Sequence, residues 1–242
     1  LVVKGEYFHV WAIGGDSSIK QKLPLDQAGL NVLFMDDIRE FRAKKVRILN
    51  GSHTGMVPVA LQLGCATVMD AFNTPEVEKF INKLVSEETL PVIDEDPEEL
   101  KKFAGKILER FYNPYLKHYL KDISLNSLSK WETRNFPTVK DNFTKLNKNA
   151  RLNTFSFAAL LVLYSGKSAV EFTPNDTPEF VAFIQSTFDS NHIQDWVEGI
   201  VKNKKIWKED FSVSPYFIDE VAASASAILK HGMKAALTDV LN

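Results

Sequence analysis

Lys45, Asn50 and His53 bring an amine, a carboxamide and an imidazole together in the stretch KKVRILNGSHTG, residues 44–55. A lysine whose pKa is drawn down by burial can move a proton on and off an alcohol oxygen near neutral pH. An amide and an imidazole N–H can donate to that oxygen as it gains charge, each such donor being worth ~3 kcal/mol in a transition state. The set would do for a carbonyl–alcohol pair what a Lewis-acid metal does elsewhere, and no second cysteine or histidine stands nearby to hold a metal. On an ideal helix Asn50 and His53 lie about 60° apart, Lys45 and His53 about 80°, and Lys45 and Asn50 about 140°. Spacing alone favours a plainer alternative: Lys44, Lys45 and Arg47 as a solvated helix face, Asn50-Gly51 as a helix end, and His53 as a buried histidine bonded to backbone.

The elements that would position these residues are mostly helices. Two β signals come first: YFHVWAI (7–13), ending at Gly14-Gly15, and NVLFMDD (31–37), entered through Gly29. Two lone strands are rarely stable, so they are expected to pair with each other or with a sheet outside this chain. From Asp36 the period becomes helical, with Ile38, Phe41 and Ile48 on one stripe, and Gly51, Gly55 and Pro58 predict a kink or break over 51–58. Helices are expected over 73–85, with Thr74 as N-cap and Pro75 at the first position, over 97–111, and onward from Asn113-Pro114 through Leu116, Leu120 and Ile123. Others are expected at 155–164, 176–184, 192–203 and 215–240. No low-complexity linker divides them, so residues 36–242 read as one mainly α domain preceded by a strand segment, 1–35.

Composition narrows the function classes. The 242 residues are 45% hydrophobic and 25% charged, with a formal net charge of −2, which is ordinary for a globular protein and argues against nucleic acid as a partner. Cys65 is the only cysteine, so neither an intrachain disulfide nor a cysteine-rich zinc cage can form, and a reducing cytoplasm fits. The longest apolar run, FAALLVLY (157–164), is too short to cross a bilayer and reads as a core helix, so no membrane is expected as a partner. The opening LVVKGEYFHVWAI carries neither an initiator Met nor a signal peptide, and the chain is expected to be a piece of something longer. Ser52 beside His53 has no third group to orient it as a nucleophile. His9, His192 and His231 lack ligand spacing, so no metal is expected, and Trp196 and Trp207 are expected in packing.

The segment DDIREFRAKKVRILNGSHTGMVPVALQLG (36–64) resembles the polyol-specific long-chain dehydrogenase/reductase family, which includes mannitol dehydrogenase and the hexuronate reductases. The family signature is a lysine, four residues, an asparagine, two residues and a histidine, and Lys45, Asn50 and His53 match all three. A second stretch, RFYNPYLKHYLKDISLNSLSKW (110–131), resembles the family's RF-x-NP block and, in its continuation, the members that reduce sugar acids. The resemblance implies Lys45 as general acid/base, with Asn50 and His53 orienting and polarising the reacting oxygen. It implies NAD as cofactor and the reduction of tagaturonate to altronate, with fructuronate or a polyol such as mannitol as alternative substrates. Arg110, Asn113, His118, Asn126 and Lys130 would bind the sugar acid, Arg110 gripping a carboxylate at two points. Structural alternatives stand beside them: Asn113 as a helix cap, Lys130 as a solvated side chain, and the basic run of Lys130, Arg134, Lys140, Lys145 and Lys148 as plain surface.

The resemblance also implies a helical fold like the C-terminal domain of 6-phosphogluconate dehydrogenase, with the two early strands extending a Rossmann sheet. No G-x-G-x-x-G lies between a strand and a helix here, so the dinucleotide would be held by an N-terminal Rossmann domain, the chain's expected partner. By itself the chain is expected to be inactive, a helical binding or assembly domain. The sequence sets no oligomeric state.

Overall fold

The computed structural model describes residues 9–208, 211–212 and 214–242. It divides into two compact units, Leu1–Val46 and Arg47–Asn242. The division falls at Val46 rather than at residue 35, so the first helical residues after Asp36 belong with the strands.

In the first unit β1 (Trp11–Gly14) runs parallel to β2 (Val32–Met35), with Trp11 opposite Val32 and Gly14 opposite Met35. Tyr7 and Phe8 of the expected first strand lie outside the described residues. The parallel arrangement requires a crossover. It is supplied by α1 (Ser18–Lys22) and a 3-10 turn over Leu25–Ala28. Gly15 makes the sharp exit from β1 at φ 144°, where a Cβ would come within 2.6 Å of Ile19 Cδ1. The strand entry is fixed by two bonds from one residue: Asn31 N donates to His9 Nε2 and Asn31 Nδ2 to the His9 carbonyl, both at 2.9 Å. Helix α2 (Arg39–Lys45) follows, its first turn held by Asp37 Oδ1 accepting from Arg39 N at 2.8 Å.

A π turn over Val46–Asn50 joins α2 to α3 (Gly51–Gln62). The interruption expected over 51–58 therefore sits just ahead of Gly51, and Pro58 is carried inside α3. A π turn bonds i to i+5 and so rephases the helix face without ending it. Ser52 is fully buried and its hydroxyl donates to the Ile48 carbonyl, the i−4 bond that bends a helix; that leaves it bound to backbone.

The second unit is built on α10 (Arg151–Tyr164), buried on every side from Leu152 to Tyr164. Such a helix needs partners all round. They include α3, itself apolar and nearly all buried, and α13 (Phe217–His231). Contact between α3 and α10 is close at Gly55, whose carbonyl accepts from Ser156 Oγ at 2.9 Å. A Cβ on Gly55 would lie 3.2 Å from Leu84 Cδ1 and 3.4 Å from Asn135 Nδ2. An aromatic cluster of Trp131, Phe136, Phe157, Trp207, Phe211 and Phe217 fills another side. Trp196 and Trp207 are both packed inside, with their N–H groups on the Ile184 and Ile200 carbonyls.

Most expected helices are present: α5 (Pro75–Lys83), α6 (Pro97–Glu109), α11 (Pro178–Ser186) and α12 (Ile193–Val201). Three details differ. Thr74 precedes α5 without capping it, because its hydroxyl donates to the Asp70 carbonyl of α4 (Val68–Phe72) at 3.0 Å. No helix runs through Leu116; α7 is confined to Leu120–Ile123. The single helix expected over 215–240 is two, because Gly232 at φ 81° breaks it between α13 and α14 (Met233–Leu241). Two further helices complete the unit, α8 (Ser127–Arg134) and α9 (Phe136–Leu146). Among the described residues no helix is long and apolar enough to cross a membrane, and no cluster of three or more His, Cys, Asp or Glu could hold a metal ion.

Candidate active site

Lys45 is the last residue of α2 and belongs to the first unit, while Asn50 and His53 belong to the second. Asn50 ends the π turn and His53 sits in the first turn of α3. The helical unit anchors this entry at three points. Ile48 is fully buried, Arg47 pairs with Asp141 at 2.6 Å, and Asn135 Nδ2 donates to the Gly51 carbonyl at 3.1 Å.

The imidazole of His53 stacks on Phe111, with centroids 4.4 Å apart and planes 28° apart. His118 meets it edge-on at 5.2 Å. Phe111 stands in a 3-10 turn, Arg110–Tyr112, at the end of α6. The backbone around His118 is tied to residues 66–68: its carbonyl accepts from Val68 N, Leu120 N donates to the Ala66 carbonyl, and Tyr119 bridges Thr67. Burial pushes the His118 imidazole down from its ordinary value, with Asp122 opposing. The structure thus brings His53 and His118 together and puts the RF of the second motif beneath them, Arg110 being half-buried beside Phe111.

The other expected site residues have local roles. Asn113 Oδ1 accepts from Tyr115 N at 2.9 Å, closing a turn rather than capping a helix at Pro114. Asn126 stands before α8 in the left-handed region at φ 53°, which asparagine tolerates better than most residues. Asn126 is the N-cap residue of α8, and its carbonyl accepts from Lys130 N one turn on at 3.1 Å. Lys130 is half-buried and donates from Nζ to the Ile123 carbonyl at 2.9 Å. Burial lowers its pKa, with Arg134 adding to that and Asp176 opposing.

Sequence reasoning passed over two features here. Arg134, read only as part of a basic run, donates from Nη1 to Thr54 Oγ1 at 3.2 Å, and Thr54 directly follows His53. Behind the site, Glu88 is almost wholly buried and caps α10: its oxygens accept from Leu152 N at 2.7 Å, Asn153 N at 3.0 Å and Asn153 Nδ2 at 2.8 Å. Asn153 Oδ1 in turn accepts from Asn135 Nδ2 at 2.9 Å, which carries the network to the Gly51 carbonyl. Burial pushes the Glu88 carboxyl up to about 7, against the pull of those N–H donors.

The turn after β1 leads into a five-residue helix whose Ser18 N is taken by Asp16 Oδ1 at 2.8 Å.

Residues 37–229 match the family described as the mannitol dehydrogenase C-terminal domain. Among curated relatives, the altronate oxidoreductase of Bacillus subtilis (strain 168) is 38% identical over 239 residues, covering 98% of this chain and 48% of that protein. The altronate oxidoreductase of Enterobacter sp. (strain 638) is 35% identical over 238 residues, covering 96% and 49%. The chain spans about half the length of the curated relatives it matches. Among solved structures, the Pseudomonas fluorescens mannitol 2-dehydrogenase ternary complex with NAD and D-mannitol superposes with a TM-score of 0.77 at 20% identity, covering 88% of this chain and 43% of that one. A substrate-free D-sorbitol dehydrogenase gives 0.73 at 16% identity, with the same coverage. These two establish the fold: a helical C-terminal domain of the kind expected.

Proposed function

Because this chain belongs to the mannitol dehydrogenase family, as its C-terminal domain, we propose that it is the substrate-binding and catalytic half of an NAD-dependent hexuronate reductase that converts tagaturonate to altronate. Relatives of this chain are oxidoreductases of sugar acids and polyols by name. The observation that carries the reading is the lysine–asparagine–histidine spacing astride a π turn, a distortion frequent at functional sites, with His53 stacked on the Phe111 of the second motif.

In this reading NAD is held by the half of the relatives that this chain does not match, and its nicotinamide supplies the hydride when bound. The chain's own residues handle the proton and the sugar. The Lys45 ammonium delivers its proton to the oxygen of the reduced carbonyl. Asn50 Nδ2 and a ring N–H of His53 donate to the same oxygen and hold it in place as charge develops. Stacking on Phe111 fixes the plane of the His53 ring. Arg110, Asn113, His118, Asn126 and Lys130 contribute to holding the sugar acid.

The test is Lys45→Ala in the full-length reductase. Substrate affinity should stay near the original while kcat falls ~10²–10⁴-fold. Turnover within a few-fold of the original would remove the proton-transfer role. Titrating NADH against this 242-residue chain and against the full-length protein tests the division of labour. The chain alone should bind it poorly, and tight binding by the chain alone would overturn the assignment. Relative turnover on tagaturonate, fructuronate and fructose ranks the substrates.

A further inference from the structure

We propose that Arg134, with Lys130 one turn before it on α8, forms the subsite for a substrate carboxylate and so selects sugar acids over uncharged ketoses and polyols. This rests on the reductase reading above and specifies which end of the substrate the second unit recognises.

The argument begins with where α8 delivers the guanidinium. Its contact, Thr54, lies one turn after Asn50 and directly follows His53 where α3 begins. A group docked on Thr54 therefore borders the two proposed donors to the reacting oxygen. The bond to Thr54 uses one of five N–H donors, and it is the only hydrogen bond or ion pair of Arg134 among the described residues. The other partly buried arginine at this helix entry, Arg47, has its anion: Asp141 at 2.6 Å.

Two acids at α8 among the described residues, Glu132 and Asp176, have partners of their own. Glu132 Oε1 accepts from Lys208 N at 2.7 Å. Asp176 accepts from Leu128 N and Tyr164 OH at 3.0 Å each and from Thr177 N at 2.9 Å. Lys130 likewise has no ion pair among the described residues, and its ammonium rests on a neutral carbonyl. Two half-buried cations one helical turn apart repel each other and are poorly solvated. Burial accordingly pushes the Arg134 guanidinium down from its ordinary value. Such a pair is stabilised when an anion arrives, and a carboxylate matches the planar fork of arginine at two points where a hydroxyl offers one. A polyol brings no compensating charge.

The experiment uses the full-length protein and the ratio of kcat/KM for a keto-hexuronate to kcat/KM for fructose. Arg134→Gln should lower that ratio ~10- to 100-fold, mainly through a raised KM for the acid. Arg134→Lys keeps the charge without the fork and should lower it less; it reads the same quantity should the glutamine variant not fold. Arg110→Gln, run alongside, should move the ratio less than Arg134→Gln. An unchanged ratio in the Arg134 variants, or a larger fall for Arg110→Gln, overturns the assignment while leaving the reductase reading intact. A wild-type protein that reduces neither substrate removes the reductase reading itself. One that reduces fructose as well as the acid removes only the subsite.

Discussion

Arg134 and Asn135 are consecutive residues that end up in opposite electrostatic situations. Asn135 is buried, and its amide joins the Gly51 carbonyl to Asn153 and through it to Glu88, a carboxylate ringed by three N–H donors. Arg134 carries a full charge, is half-buried, and meets one threonine hydroxyl. Both touch the first turns of α3. The Glu88 network is closed on itself apart from one unmatched acceptor, Asn135 Oδ1, among the described residues. The arginine side is open. A buried polar group completed by its own fold holds structure, whereas one left incomplete marks where something else must bind.

The comparison is most exposed to failure at Glu88. Glu88→Ala leaves two backbone N–H groups and the Asn153 amide buried without an acceptor, an expected loss of ~4 kcal/mol in unfolding free energy at pH 5, measured by urea denaturation. A loss below ~1 kcal/mol would mean that the network is ornamental and the contrast with Arg134 empty. Next in size is a pH effect. The folded Glu88 carboxyl titrates at about 7 against 4.5 when free, because burial outweighs its donors, with neighbouring Glu87 adding to the rise. The folded protein therefore retains a proton that the unfolded chain has released. The stability it contributes is complete below about pH 4.5 and is lost as pH rises through about 7, ~3 kcal/mol in all. The difference between wild type and Glu88→Gln across that window isolates this group from the other carboxylates, and a flat difference would show that Glu88 ionises normally.

Much of the scaffold around these two residues was legible. The first strand announces itself by aromatic and β-branched residues ending in Gly14-Gly15, and the second by the apolar run of NVLFMDD entered through Gly29. Helices α5, α6 and α11 announce themselves by proline at their starts, and α10 by a long apolar run. The reading failed where local periodicity carries no signal. A π turn at 46–50 continues a helical pattern with a shifted phase, so it resembles a helix with a misplaced kink. Gly232 interrupts an otherwise unbroken periodicity, and only its φ of 81° reveals two helices. Helices α8 and α9 are short and polar on their outer faces, and their stability comes from Trp131 and Phe136 in the distant aromatic cluster. The site divides the same way. Lys45, Asn50 and His53 are close in sequence and form a recognisable spacing. The pairing of Arg134 with Thr54 joins positions 80 residues apart and exists only once α8 lies on α3.

Two smaller effects sharpen the contrast. Gly55→Ala would push a methyl to 3.2 Å from Leu84 Cδ1 and 3.4 Å from the Asn135 amide. Because one neighbour is the flexible end of a leucine, the expected loss is ~1–2 kcal/mol, read from the urea midpoint, and a gain in stability would mean that the α3–α10 contact is looser than it looks. The smallest expected change comes from Arg134→Gln. Its hydrogen bond to Thr54 is worth ~1 kcal/mol, and removing a half-buried charge that has no ion pair among the described residues returns a comparable amount. Stability should then stay within ~0.5 kcal/mol of wild type while discrimination between acid and ketose collapses. A residue that held the fold would behave the other way, losing stability and leaving discrimination alone, so urea unfolding and steady-state kinetics on this one variant separate an open site from a closed one.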